Sequence, residues 1–362
     1  MEPKELFAKR LKQARQKAGL SMDGLSAKTG KEVSKQTISK YEAGKTMAGS
    51  PILIKLSKAL GVPVDYFFRP YTFDVSEVEI SFRKKACVGA KDQTMLKIKI
   101  QDEVERFIDI ENILGLESPM PHIIVPAKIT IPFQMIMLAK EVRRAWNLGI
   151  SPIPSVKNLL MSHNIKVFEI DGPEGFDGIS GYANNKIPLI VINKNMPNTE
   201  RRRFTHMHEL AYLLANSSFK EDLSKYEKEK LCDVFASEML LPSEVSESEF
   251  GSKSKITVQE LKRIQKTYGI SIDAIVYSLK RLDILSENRH RSYCIRKNTN
   301  PKFKTLVEKS RYIEPSSEKD YDDEFYESLV YSAIAQELIS TSKAAQLLST
   351  SIQDIENKIH AF

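Results

Sequence analysis

Residues 34–45 read SKQTISKYEAGK. Ser34 has the side chain of a helix N-cap, and Gly44 closes the run. Ile38 and Tyr41, three positions apart, share one face, while Lys35, Gln36, Thr37 and Lys40 point away from it. The stretch therefore predicts a short helix with an apolar inner side and an outer side rich in hydrogen-bonding groups. Upstream, Leu6, Phe7, Leu11 and Ala14 recur at helical spacing before Gly19, and Ser21 caps a second short helix that buries Leu25 and ends at Gly30. Downstream, Ser50-Pro51 opens a helix carrying Ile52, Leu56 and Leu60, which Gly61-Val62-Pro63 ends.

Charge singles out the same region. The 362-residue chain has a net charge of +7. Residues 1–70 hold 14 Lys/Arg against 6 Asp/Glu, and the remaining 292 hold 40 against 41. A basic excess confined to one small helical unit favours a polyanionic partner, most simply DNA, over an evenly solvated surface. Hydrophobic content of 41% is ordinary for a globular protein. Cys87, Cys232 and Cys294 show no paired spacing, which suits a reducing cytoplasm. The charged N-terminus and the lack of long apolar runs predict neither a secretory leader nor a membrane span.

Residues 5–69 resemble the XRE (Cro/repressor-like) helix-turn-helix family. The matching signs are Arg15, Gly19-Leu20-Ser21, Leu25, Thr37-Ile38-Ser39, Glu42-Ala43-Gly44-Lys45 and Leu56 to Val62. Met22 stands where the family often has a glutamine that braces the DNA backbone, and the loop Lys31-Glu32-Val33 is slightly long. The resemblance implies that the third helix enters the major groove. There Gln36 suits adenine and Lys35 guanine, with Thr37 and Lys40 beside them, and Ser39 and Lys45 suit phosphates.

Beyond this unit, Met95, Ile98, Ile100, Val104, Phe107, Ile108, Ile110, Ile113 and Leu114 mark a long helix with a mixed polar face. It reads as a connector and a candidate dimerisation arm. Two helices over 134–161, strands at 165–170 and 188–193, and helices at 200–216 and 227–242 follow, with DGPEGFDGISG as a turn-rich segment between the strands.

The helix ERRRFTHMHELAYLLAN (200–216) holds the chemistry. In HExxH, two histidines one turn apart grip zinc, and the glutamate activates a metal-bound water. Here the motif reads His208-Glu209-Leu210-Ala211-Tyr212. With Phe176-Asp177-Gly178, Phe235-Ala236-Ser237-Glu238 and Leu240-Leu241-Pro242, residues 134–245 resemble the ImmA/IrrE zinc metallopeptidases. The resemblance implies Glu209 as general base, His208 and Glu229 as metal ligands and Asp233 as the polar residue beside them, with Tyr212 in place of the missing ligand. A neutral phenol is a poor ligand near pH 7, and His206 lies on another side of the helix. His122, His163, His290 and His360 have no ligand-like spacing. The expectation is a vestigial site with no cofactor, the alternative being weak zinc binding.

Residues 255–285 read as a helix-turn-helix-like pair, with Leu261, Ile264 and Tyr268 inward on one helix and Ala274, Ile275, Tyr277 and Leu279 on the next. An acidic run at 318–324 precedes apolar stripes at Leu329, Ile334, Leu338 and Ile339 and at Ala344, Ala345, Leu347 and Leu348, with Ser340 and Ser351 as caps. This tail suits a protein partner or an ordinary helical hairpin.

The expected fold is α+β and mostly helical. A five-helix DNA-binding domain spans 1–70, a connector 71–133, a zincin-like α+β domain 134–250, a helix-turn-helix-like extension 251–316 and a helical tail 317–362. The family resemblance implies a cytoplasmic repressor of the antitoxin type, homodimeric on a double-stranded DNA operator and partnered by a toxin. The rival expectation is an active zinc endopeptidase that cleaves a repressor or another regulator.

Overall fold

The computed structural model describes residues 2–71, 89–116, 123–183, 187–253, 255–309, 311–312, 321–348 and 350–359. Cys87, His122, His360, the start of the connector and the acidic side chains at 318–324 lie outside what is described.

Helices α1 (Pro3–Lys17), α2 (Met22–Lys28), α3 (Lys35–Glu42) and α4 (Ser50–Leu60) form the N-terminal bundle. Its fifth element is a 3-10 turn, Val64–Phe68. Ser21 and Ser34 cap α2 and α3 by accepting from the amides of Gly24 and Thr37. Phe7, Leu11, Leu25, Ile38, Leu56 and Phe67 pack into one core, each fully buried side chain contributing about 1.5–3 kcal/mol. On α4 the inward residue is Leu53 rather than the expected Ile52, which is only partly buried. Arg15 donates to both carboxylate oxygens of Glu42 at 2.6 and 2.8 Å and to the Leu20 carbonyl at 2.8 Å. That brace ties α1 to α3 and to the turn before α2.

The long helix α5 (Ala90–Leu114) is buried on all sides, with no exposed residue from Leu96 to Ile110. One row, Leu96, Ile100, Val104 and Ile108, packs on the sheet. Another row, from Ile110 to Leu114, packs on the C-terminal helices. A third face carries Asp102 and Glu105 toward the bundle. The apolar positions offered as a dimerisation arm are thus covered within the chain.

The sheet has the order β1-β3-β2. Strand β1 (Lys166–Ile170) is parallel to β3 (Ile187–Asn193), and β2 (Gly178–Ala183) is antiparallel to it. Central β3 reads as a continuous apolar run because both its faces are covered. Leu189 and Val191 face α5, and Ile190 and Ile192 face the helical core. Strand β2 corrects the reading of 171–181 as turns alone: Gly178, Ser180 and Gly181 hide its strand propensity, yet Ile179 and Ala183 alternate inward. Gly178 is required by close approach, since a Cβ there would lie 2.9 Å from Thr205 Cγ2.

Helices α6 (Pro132–Ala145), α7 (Val156–Ser162), α8 (Thr199–Ala215) and α9 (Lys225–Leu240) build the main core around Met207, Leu210, Phe235 and Met239. Helix α10 (Ser243–Phe250) and the pair α11 (Val258–Tyr268) and α12 (Ile272–Arg281) close it from below. Gly269 has φ +62° and lies against Arg203, whose guanidinium takes the Gly269, Ile153 and Pro154 carbonyls. On α12 the inward set is Ile272, Ile275, Val276 and Leu279, while Tyr277 is exposed, contrary to expectation.

Two helices within the expected extension, α13 (Glu287–Thr299) and α14 (Pro301–Glu308), were not anticipated. The tail forms α15 (Tyr321–Ala335), α16 (Thr341–Leu347) and α17 (Ile352–Ile359), whose Val330, Ala333, Ala344, Leu347 and Ile355 enclose Ile110 of α5. Ser340 and Ser351 accept from the amides of Lys343 and Asp354, as the caps predict. Among the described residues no helix is long and apolar enough to cross a membrane.

Candidate DNA interface and metal-motif helix

On α3 the burial of Ile38 and Tyr41 turns Lys35, Gln36, Ser39 and Lys40 to the outside, and Lys45 is exposed just past Gly44. Thr37 differs from the expectation: it is half-buried, and its hydroxyl lies 2.9 Å from that of Ser34, inside the N-terminal cap. Lys35 Nζ donates to Asp23 Oδ2 at 2.7 Å, a pair open to solvent on both sides. Such pairs are worth about 0–1 kcal/mol, so Lys35 can exchange this carboxylate for another acceptor at small cost. The preceding loop turns at Lys31, which has φ +62°.

The metal-motif helix α8 begins at Asn198, which caps it by accepting from the Arg201 amide at 2.8 Å. It lies under β2 and β3 and against α9, which delivers Glu229 and Asp233 to the same place. His208 Nδ1 is 2.8 Å from Asp233 Oδ1, and its Nε2 is 3.4 Å from Glu229 Oε2. Both ring nitrogens therefore face carboxylates of one helix. Glu209 is buried and accepts from Ser180 Oγ on β2 at 2.9 Å. Next to that pair, Tyr182 Oη donates to the Leu213 carbonyl at 3.0 Å. Sequence reading missed Ser180 and Tyr182; their signal was the alternation with Ile179 and Ala183 along β2.

The Tyr212 ring stands 5.7 Å from that of His208 and meets Phe219 edge-on at 5.8 Å. The phenol position is thus built into an aromatic row. His206 points elsewhere, as expected: its Nδ1 is 2.8 Å from the Arg202 carbonyl, and burial lowers its pKa to about 4. Among the described residues, no group of three His, Cys, Asp or Glu is arranged to hold a metal ion. The donors here differ from the ligand set of a catalytic zinc motif. A catalytic zinc site takes three protein ligands, whereas this one offers a single histidine already flanked by two carboxylates, a phenol packed on aromatics, and a glutamate held by a serine.

Two family models match the chain. Residues 11–67 match the helix-turn-helix family, and residues 160–280 match the IrrE N-terminal-like domain. The chain therefore carries an XRE-type helix-turn-helix domain over residues 11–67 and an IrrE-like peptidase domain over residues 160–280, the latter with Tyr212 at the second histidine of its HExxH motif. No curated protein matches the chain.

Proposed function

We propose that this chain is a sequence-specific transcriptional repressor of the antitoxin type, acting in the cytoplasm as a homodimer on a two-half-site operator. Its IrrE-like domain serves as a sensing or partner-binding module, holds no catalytic zinc and cleaves no peptide. The toxin is the partner that the fusion of these two domains suggests. The observation that carries the DNA reading is the outer face of α3, where Lys35, Gln36, Ser39 and Lys40 stand exposed opposite buried Ile38 and Tyr41. The basic excess of residues 1–70 supports the same partner.

The test is selection of a preferred duplex by the full chain, followed by Lys35→Ala and Gln36→Ala. Each lost base contact costs roughly 1–3 kcal/mol of discrimination, so the double variant retains duplex binding and loses sequence preference. A wild-type chain that selects no sequence sinks the repressor reading.

A further inference from the structure

The near-neutral charge of residues 71–362 conceals a second segregation. Residues 286–312 hold eight Lys/Arg and two Asp/Glu. They form the hairpin of α13 and α14, which no family match covers.

The hairpin uses few of these cations to hold itself in place. Tyr293 meets Phe303 edge-on at 5.9 Å and donates to Asp273 Oδ1 of α12 at 2.8 Å. Burial, then the Asp273 charge, pushes the Tyr293 phenol up, so it remains a neutral donor. Phe303 and Val307 are buried beneath α14. Lys297 bridges Asp273 at 2.5 Å and Glu308 at 3.4 Å, and Glu287 is taken by Lys280 of α12 at 2.7 Å. Both acids of the hairpin are therefore engaged. Arg296 lies over the Phe303 ring at 4.4 Å with its side chain exposed. Arg291, Lys302, Lys304, Lys309 and Arg311 are exposed, and among the described residues none stands within ion-pair distance of a carboxylate.

Like charges gathered on two short helices repel one another, and a polyanion that replaces its counterions with them gains entropy. The kind of polyanion follows from the aromatic residues. Single strands are gripped by bases stacking on exposed rings, whereas Phe303 is buried and Tyr293 is half-buried against it. Two helices that carry cations and present no exposed aromatic ring of their own fit the regular phosphate rows of a duplex.

From this we infer that the α13–α14 hairpin is a second, sequence-independent contact for the backbone of double-stranded DNA. The inference builds on the DNA-binding reading of the N-terminal bundle.

The experiment measures affinity of the full chain for a random-sequence duplex and, in parallel, for a single-stranded RNA of equal length, across a salt series. It compares wild type with Arg291→Gln/Lys302→Gln/Lys304→Gln/Lys309→Gln and, separately, with Lys40→Ala/Lys45→Ala in the bundle. Each phosphate contact contributes about 0.9 to the slope of log K against log salt. The hairpin variant is expected to flatten the slope by about 3 to 4, at an unchanged melting temperature. An unchanged slope in the hairpin variant, with a flattened one in the bundle variant, overturns the hairpin site and leaves the bundle reading standing. Loss confined to single-stranded RNA overturns the duplex assignment. A wild-type chain with no salt-dependent duplex affinity overturns both readings.

Discussion

Arg10 and Glu105 meet across the joint between the N-terminal bundle and the long helix, 95 residues apart in sequence. The guanidinium donates to both carboxylate oxygens at 2.7 and 2.8 Å, and Arg10 is fully buried. It also donates to the carbonyls of Arg69 and Pro70, and its face lies 3.8 Å from the Tyr71 ring centre. Arg69 adds bonds to Glu105 at 2.6 Å and to Asp102 at 2.9 Å, and Lys17 pairs with Asp102. Three cations of the bundle thus answer two carboxylates of α5. The bundle is seated on the long helix by charge, where the other two faces of that helix are seated by apolar packing.

Removing one member of a buried pair costs about 3–5 kcal/mol, because the other charge is stranded. Glu105→Leu is therefore expected to lower the denaturation midpoint strongly, and Arg10→Met/Glu105→Leu to recover part of the loss. Strictly additive losses in the double-variant cycle would show that the pair is not coupled.

The same joint fixes an acid limit. Burial raises the Asp102 carboxyl, but the Lys17 and Arg69 charges outweigh it, and the group sits below its ordinary value. The unfolded chain then binds more protons near that value, so this stabilisation is complete above about pH 4 and lost as pH falls through the lower folded value. Denaturation followed from neutral pH down to the acid limb should show a steep loss there, and Asp102→Asn should flatten it. A limb of equal steepness in the variant would assign the loss to other groups.

Much of this fold is legible without coordinates. The bundle follows from its caps, Ser21, Ser34 and Gly44, and the metal-motif helix from the five letters of His208 to Tyr212. What stayed hidden has physical causes. Strand β2 carries Gly178 where the chain must approach Thr205 closely, so propensity reads as turn. Helices α13 and α14 have too few inward apolar residues to show a period, since Tyr293, Phe303 and Val307 do most of their packing. For α5 the period announced a helix, but not that its apolar residues fall in two rows covered by the sheet and the tail, nor that its Asp102 and Glu105 face the bundle. The Arg10–Glu105 pair lies beyond any local pattern. At the candidate site the sequence placed His208 near Glu229 and Asp233 only through family likeness; the Ser180 bond to Glu209 was out of reach because β2 was.

Asp23 holds Lys35 of α3, the helix proposed to read DNA, in an exposed pair. A carboxylate there repels phosphate and competes for the lysine. Asp23→Asn is expected to strengthen duplex binding severalfold, with thermal stability unchanged. Weaker binding in this variant would mean that the pair positions Lys35 instead of restraining it.

Tyr212→His should give the motif its second histidine without disturbing the helix, whose packing comes from Leu210, Leu213 and Leu214. Elemental analysis of protein purified without added metal is expected to find well under one zinc per chain in the wild type and a clear rise in the variant. Stoichiometric zinc in the wild type, lost on Glu229→Ala, would put the endopeptidase reading first.

The charged seat on α5 also bears on how such a chain can be inherited. A crossover falling between residues 71 and 89 would join a foreign bundle to Asp102 and Glu105, and a bundle without cations in place of Arg10, Lys17 and Arg69 would leave two carboxylates shut away from water. Exchange of the bundle by recombination must therefore carry α5 along with it. Since α5 is also the floor for the sheet and the tail, the outer face of α3 is altered more readily by point changes than by trading domains.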